Sequence, residues 1–167
     1  MKPAVVVDTN VPIVANVRAG ADPACALACV QELRETTRQR RLLLDRGGLI
    51  LKEYRQHLSP NGQPGAGDAF FKWAWDNQAN PKFCRSVKIT PVAPGGKGFD
   101  EFPSDLALES FDHSDRKFVA VVVAGGKTAE ILNASDIDWW NARKPLRRNG
   151  ITVRFLCPQL MNVNAVP

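Results

Sequence analysis

Short runs of apolar residues recur along the chain, and most of them stop at a polar or charged residue. Apolar side chains at successive positions are typical of short strands that are buried on both faces of a parallel sheet. Five segments are predicted as strands on this pattern: 4–7, 42–44, 87–90, 128–132 and 151–156.

The segments between these runs carry the capping residues and apolar spacing of helices. Helices are predicted in six places: from about 11–12, over 22–40, over 49–58, around 70–75, over 111–124 and over 136–148. Regular alternation of strands and helices predicts an α/β fold, a three-layer sandwich in which helices cover both faces of a five-stranded, mostly parallel sheet.

The length of 167 residues fits one domain, because single domains usually run to roughly 100–200 residues. We expect this domain to span residues 1–157 and to be followed by an irregular tail at 158–167. Gly and Pro predict loops over 59–67 and 91–103.

The composition narrows the classes of protein to which the chain can belong. Lys and Arg number 22 against 17 Asp and Glu, an excess that suits a polyanionic partner. No apolar run approaches the ~20 residues of a membrane span, and the N-terminus lacks the apolar region of a signal peptide. We therefore expect a cytoplasmic protein whose four cysteines are buried, reduced thiols.

Acidic residues stand where several of the predicted strands end or the following helices begin. Four separate segments supply Asp8, Glu53, Asp115 and Asp136, and ligands of parallel sheets bind beyond the carboxyl ends of the strands. Each acid alone could be a helix cap. Together they would repel by about 4 kcal/mol per pair at about 4 Å and an effective dielectric of about 20, so a cation would be needed. Oxygen ligands without His or Cys favour Mg²⁺ or Mn²⁺.

The order of these acidic segments resembles the motif set of PIN-domain ribonucleases. The matching stretches are VVVDTNVPI, LKEYRQHL, FDHSDRKFVAVVVA and AEILNASDIDWW, within roughly residues 4–156. The resemblance implies strand order 3-2-1-4-5 and Mg²⁺- or Mn²⁺-dependent hydrolysis of RNA. It implies Asp8, Glu53, Asp115 and Asp136 as catalytic acids and Asn10 as a residue that supports Asp8. Family members of this size are often toxins paired with an antitoxin protein, and homodimers are common.

Two positions in the motif set have competing candidates. Asp138 could share or replace the metal-binding role of Asp136, and Asp112 competes with Asp115. We favour Asp115, because the apolar helix continues directly after it, and interpret Asp112 as the helix cap. If Asn133 ends its strand, Ser135 takes the supporting polar role before the fourth acid.

Basic residues beside the third acid are candidates for binding the substrate. Arg116 and Lys117 fall in a first helical turn, where cations are disfavoured, so we expect at least one of them to bind phosphate. His113 lies between the candidate acids Asp112 and Asp115, so whether its side chain lies near the site is a further question for the structure.

Three functions remain open on these residues. A metal-dependent ribonuclease is favoured because the acid set is complete. A catalytically silent PIN module that binds RNA or a partner protein is the alternative. A small-molecule phosphatase of the haloacid-dehalogenase type is disfavoured, because Asn10 stands where that class has a second, proton-donating Asp.

Overall fold

The strands of the sheet lie close to the predicted segments. The computed structural model describes residues 2–18, 20–92 and 98–162, so parts of the predicted loop 91–103 and tail 158–167 lie outside the described residues. The strands are β1 (Ala4–Val7), β2 (Arg41–Asp45), β3 (Cys84–Val87), β4 (Glu130–Asn133) and β5 (Val153–Phe155).

All strand pairs are parallel, and the sheet order is β3-β2-β1-β4-β5, so the predicted fold is confirmed. The central strand β1 pairs Val5 with Leu42 on one side and Val7 with Leu132 on the other. These side chains are buried because helices cover both faces of the sheet.

The helices follow the predicted segments with small shifts at their ends. They are α1 (Asn10–Ala15), α2 (Pro23–Gln39), α3 (Leu49–His57), α4 (Ala66–Asn77), α5 (Arg116–Ala124), α6 (Ile137–Arg148) and α7 (Pro158–Asn162). Two 3₁₀ turns, Leu106–Leu108 and His113–Asp115, precede α5. None of the described helices is long and apolar enough to cross a membrane.

Right-handed crossovers place α1 to α4 on one face of the sheet and α5 on the other. In agreement, α1 contacts both α2 and α4, whereas α5 packs on β1, β2 and β4. The crossing of α1 and α4 is so close that a Cβ atom on Gly67 would lie 1.8 Å from the carbonyl oxygen of Pro12. Asn16 and Asp68 join the same helices through two hydrogen bonds of 3.0 and 3.1 Å.

Three local predictions need correction. The third strand is Cys84–Val87 rather than 87–90, because this edge strand pairs with β2 on one side only and therefore carries the polar residues Arg85 and Ser86. The helix predicted over 111–124 begins at Arg116, after a 3₁₀ turn. The tail is not irregular over Pro158–Asn162, where α7 forms and Met161 is buried.

The prediction of four reduced thiols is wrong for two cysteines. Cys25 on α2 and Cys157 after β5 form a disulfide with a Cα–Cα distance of 5.3 Å across 132 residues of sequence. Cys29 and Cys84 are free and buried, and burial raises the pKa of these thiols to about 12 and about 11.

Candidate active site

Asp8 lies at the carboxyl end of the central strand and is almost fully buried, with 4% of its surface exposed. Its backbone N–H donates to the carbonyl of Leu132 at 3.0 Å, which extends the pairing of β1 and β4 by one residue. The Oδ2 atom accepts hydrogen bonds from the backbone N–H of Asn10, at 3.2 Å, and from the side-chain amide of Asn133, at 3.5 Å. The sheet therefore fixes the position of this carboxylate.

Asn133 connects the first acid to the fourth. It ends β4, is fully buried, and its Oδ1 accepts from the backbone N–H of Asp136 at 3.0 Å. Asn133 thus ends the strand as expected, but it also makes the polar contact that was predicted for Ser135. The side chain of Asn10 accepts from the N–H of Ala134 at 3.0 Å and holds the same loop from the other side.

Glu53 reaches the site from α3. One of its carboxylate oxygens accepts from the hydroxyl of Thr9, and the other lies 2.7 Å from Nζ of Lys117. Lys117 also donates to the backbone carbonyl of Ser114. Both ends of this ion pair are largely buried, with 19% of the Glu53 side chain and 11% of the Lys117 side chain exposed.

Asp112 has the capping role that was predicted for it, and Asp115 takes a separate position beside the other acids. Asp112 is exposed, and its Oδ1 accepts from the N–H and the hydroxyl of Ser114, both at 2.8 Å, so it caps the 3₁₀ turn. These hydrogen bonds lower the pKa of the Asp112 carboxyl. Asp115 ends that turn and is partly buried beside the other acids.

The pKa values of two acids reveal the electrostatics of the cluster. Burial, followed by the negative charges of Asp112, Asp136 and Glu53, raises the pKa of Asp115 to about 7, and Lys117 partly offsets this. Burial also raises the pKa of Asp8 well above its usual range, and the charges of Asp115, Glu53 and Asp136 act in the same direction. Four chain segments therefore bring mutually repelling carboxylates to one edge of the sheet.

The fourth acid in this cluster is Asp136 rather than Asp138. Asp136 caps α6, where its Oδ1 accepts from the N–H of Asp138 at 2.9 Å, and its charge acts on both Asp8 and Asp115. Asp138 is exposed on the first turn of α6 and lines a neighbouring cavity.

The two predicted phosphate ligands are placed differently. The Arg116 guanidinium donates to the carbonyls of Leu108, Glu109 and Phe111, and it stacks 4.5 Å from the ring centre of Phe102. It therefore holds the loop before α5. Lys117 is the cation that lies against the acid cluster.

Tyr54 supports the site through the backbone of β1, and this role was not predicted from the sequence. Its ring is fully buried, and its hydroxyl donates to the carbonyl of Val7 at 2.5 Å, directly before Asp8. Burial, with the nearby charges of Asp8 and Glu53, raises the pKa of the Tyr54 hydroxyl well above its usual range. A Tyr directly after a helical Glu would have been the only signal in the sequence.

Two open cavities flank the acid cluster, and His113 lines both. One, of about 760 Å³, lies between the segment 107–113 and α6. The other, of about 340 Å³, lies between α3 and the start of α5 and is lined by Lys52, Gln56 and Lys117. The two cavities therefore meet at His113, and Glu53 lines the smaller one.

The carboxylates of the cluster are not packed as closely as the ligands of a single ion would be in direct contact. In the described ranges, no three of these carboxylates bring an oxygen each within 4.8 Å of one another. Mg²⁺ usually keeps several waters and takes only one or two carboxylates directly, so close convergence of all four acids is not required. The one group that meets this spacing in the same ranges is Cys25, Cys29 and Cys157, in which two members are joined by the disulfide.

Comparisons of the chain with protein-family models, with curated proteins and with solved structures found no match.

Proposed function

We propose that this protein is a metal-dependent ribonuclease of the PIN type. The observation that carries the proposal is that four chain segments bring Asp8, Glu53, Asp115 and Asp136 to one edge of the sheet. Burial, together with the charges of the neighbouring acids, raises the pKa of Asp8 and Asp115 there. A cluster whose members resist ionisation together is costly for the fold, and it becomes favourable when a cation is bound there. Such strongly perturbed groups beside open cavities are typical of functional sites.

The donor set fits Mg²⁺ or Mn²⁺, because it consists of carboxylate oxygens only. Asp8, Asp115 and Asp136 are the residues that would hold the ion, and Glu53 stands beside them in its pair with Lys117. When bound, the ion would polarise the scissile phosphate and lower the pKa of a water molecule.

The other residues of the site fix its geometry. Asn133 holds Asp8 and the backbone of Asp136 in one arrangement. Thr9 and Lys117 hold Glu53. Tyr54 fixes the end of β1 through the carbonyl of Val7. A displacement of a catalytic group by about 1 Å can slow a reaction about 100-fold. These contacts therefore serve the reaction by holding the acids in place.

A polynucleotide fits the surroundings better than a small phosphate ester does. The two cavities share His113, and Glu53 lines the smaller one, so an extended chain that occupies both would run beside the acids. The side chain of Asn10 accepts from the N–H of Ala134, and its amide cannot act as a general acid, which argues against the phosphatase. An antitoxin partner and a homodimer stay predictions.

Cleavage of single-stranded RNA in Mn²⁺ tests the proposal. We expect the wild type to cut, chelation to stop it, and Asp8→Asn to abolish cleavage while the protein stays folded. Asp76→Asn is the matched control, because Asp76 is an exposed acid on α4 paired with Lys72 at 2.6 Å. Metal binding without cleavage would favour the silent module, and parental activity in Asp8→Asn would refute the mechanism.

A further inference from the structure

The larger cavity beside the acid cluster has no role in holding the acids. It begins next to them, because Asp138 lies two residues after Asp136 and His113 lies two residues before Asp115. Its volume of about 760 Å³ is within the roughly 300–1,000 Å³ of small-molecule sites. A group attached to a phosphodiester at the acids would therefore have room to enter it.

One part of the lining of this cavity is aromatic. Phe111 lies in it with 5% of its surface exposed, packs edge-on against the buried Trp139 at 4.9 Å between ring centres, and stacks on Phe102 at 5.8 Å. Trp139 is fully buried, and the next residue, Trp140, is partly exposed. The face of Trp140 is covered by the Arg143 guanidinium at 3.9 Å.

The rim is polar, and its side chains are not used by the fold. Asp138 and Asn141 stand three residues apart on α6 and so lie on one side of that helix, and Ser110 faces the same cavity. Within the described ranges, the side chains of these three residues form no hydrogen bond to protein. By contrast, Thr9, Asn10, Glu53 and Asn133 are each bonded to another part of the site. The rim thus offers hydrogen-bonding groups to a ligand.

Charge separates the two cavities. The larger one carries the carboxylates of Asp112 and Asp138, which repel phosphate. The smaller one carries Lys52 together with the ion pair of Lys117 and Glu53, so its charged side chains sum to one positive charge. A nucleotide chain that crosses His113 would place its backbone on the lysine side and a neutral group on the acidic side. The neutral group of a nucleotide that stands beside its phosphate is the base.

We infer that the larger cavity binds an unpaired nucleobase with an exocyclic amino group, cytosine or adenine, in preference to uracil. Cytosine and adenine present an amino donor next to a ring-nitrogen acceptor. The Asp138 carboxylate accepts from the amino group, as acidic side chains do from cytosine N4, and the amide of Asn141 donates to the ring nitrogen. Uracil presents a carbonyl oxygen where the amino group would be, and that oxygen is repelled by Asp138. The inference rests on the proposed function and adds a base preference to it.

Binding of two hexanucleotides, rC6 and rU6, tests this preference without cleavage. These pyrimidines differ at the edge that the cavity would read, so fluorescence anisotropy in chelated, low-salt buffer compares them directly. We expect the wild type to bind rC6 about tenfold more tightly than rU6. In Asp138→Asn the new amide donates to the uracil oxygen, so the ratio should fall towards one through tighter binding of rU6. Asn141→Ala should reduce the ratio by weakening rC6.

The control Asp76→Asn changes the net charge equally and should keep the wild-type ratio. Equal affinities of the wild type for rC6 and rU6, a ratio that Asp138→Asn leaves unchanged, or no measurable binding of rC6 would each overturn the inference. Metal-dependent cleavage without a base preference would refute base binding in the larger cavity and leave the proposed nuclease function intact. A preference for cytosine without any cleavage would refute the proposed nuclease function and leave base binding in the larger cavity intact.

Discussion

Lys117 and Glu53 form an ion pair of 2.7 Å at the edge of a cluster of carboxylates, and both side chains are largely buried. The pair joins α5 to α3 across the carboxyl edge of the sheet. It neutralises one of the four acids from within the chain. The remaining three, Asp8, Asp115 and Asp136, are therefore the ones whose charge calls for an ion.

Replacing Lys117 should destabilise the fold, because its charge balances the repulsion between Glu53 and the other acids. We expect Lys117→Met to lower the free energy of unfolding by about 1–3 kcal/mol in metal-free buffer, because Glu53 loses a charged partner. In the double variant with Glu53→Gln, much of this loss should be absent. A double-mutant cycle by chemical denaturation measures the coupling, and additivity within about 0.5 kcal/mol would show that the pair contributes nothing.

The raised pKa of Asp115 predicts how stability depends on pH. Its ordinary value of 3.8 rises to about 7 in the folded protein, so between these values the folded state holds a proton that the unfolded chain has released. The metal-free protein should thus lose stability as pH rises from about 4 to about 7, and Asp8 acts in the same direction. Thermal unfolding in EDTA across this range is the measurement.

Asp115→Asn should flatten this pH profile, because its amide does not titrate. Mn²⁺ should reverse the trend in the wild type, since the ion competes with protons for the same carboxylates. A metal-free protein that gains stability over this window would contradict the electrostatics described for the cluster.

Asn133 should control metal affinity without touching substrate. It bonds the carboxylate of Asp8 and the backbone of Asp136, and loss of such a supporting contact typically weakens metal binding or activity by about 10–100-fold. Titration calorimetry with Mn²⁺ on Asn133→Ala checks the expectation. Asn141→Ala is the control, because Asn141 lies at the neighbouring cavity. An equal loss in both variants would mean that the Asn133 contacts are not specific to the metal site.

The disulfide predicts a dependence of stability on redox conditions. Cys25 and Cys157 close a loop of 132 residues, and removal of a native disulfide typically costs about 2–5 kcal/mol. Cys157→Ser should lose this stability under oxidising conditions and respond little to a reductant. If the wild type unfolds at the same denaturant concentration with and without reductant, the bridge does not stabilise the fold.

The fold was predictable because its signals are local and repeated. Apolar runs that end at Asp8 and Asp45 mark the ends of strands, and a Gly-containing turn follows α5. The edge strand β3 was displaced in the prediction because Arg85 and Ser86 interrupt its apolar pattern. The disulfide was missed because its two cysteines are brought together only by the tertiary structure.

The sequence predicted the grouping of the acids and the support of Asp8 by Asn10, but not most of the residues that hold the acids in place. Strand ends and motif order predicted that Asp8, Glu53, Asp115 and Asp136 lie together, and in the folded chain their charges act on one another. Contacts such as Tyr54 with the carbonyl of Val7 depend on how α3 packs on the sheet, which no spacing in the sequence expresses. Arg116 was interpreted as a phosphate ligand from its position alone, and its bonds to three carbonyls appear only in the folded chain.

A Mn²⁺ soak of crystals of the wild type, followed by anomalous diffraction, tests the central claim most directly. We predict an anomalous peak at the carboxyl end of β1, with Asp8 as a ligand and with Asp115 or Asp136 directly or through water. The same soak of Asp8→Asn should lose or weaken the peak. Absence of any peak among these acids in the wild type, at a Mn²⁺ concentration that supports RNA cleavage, would contradict the account.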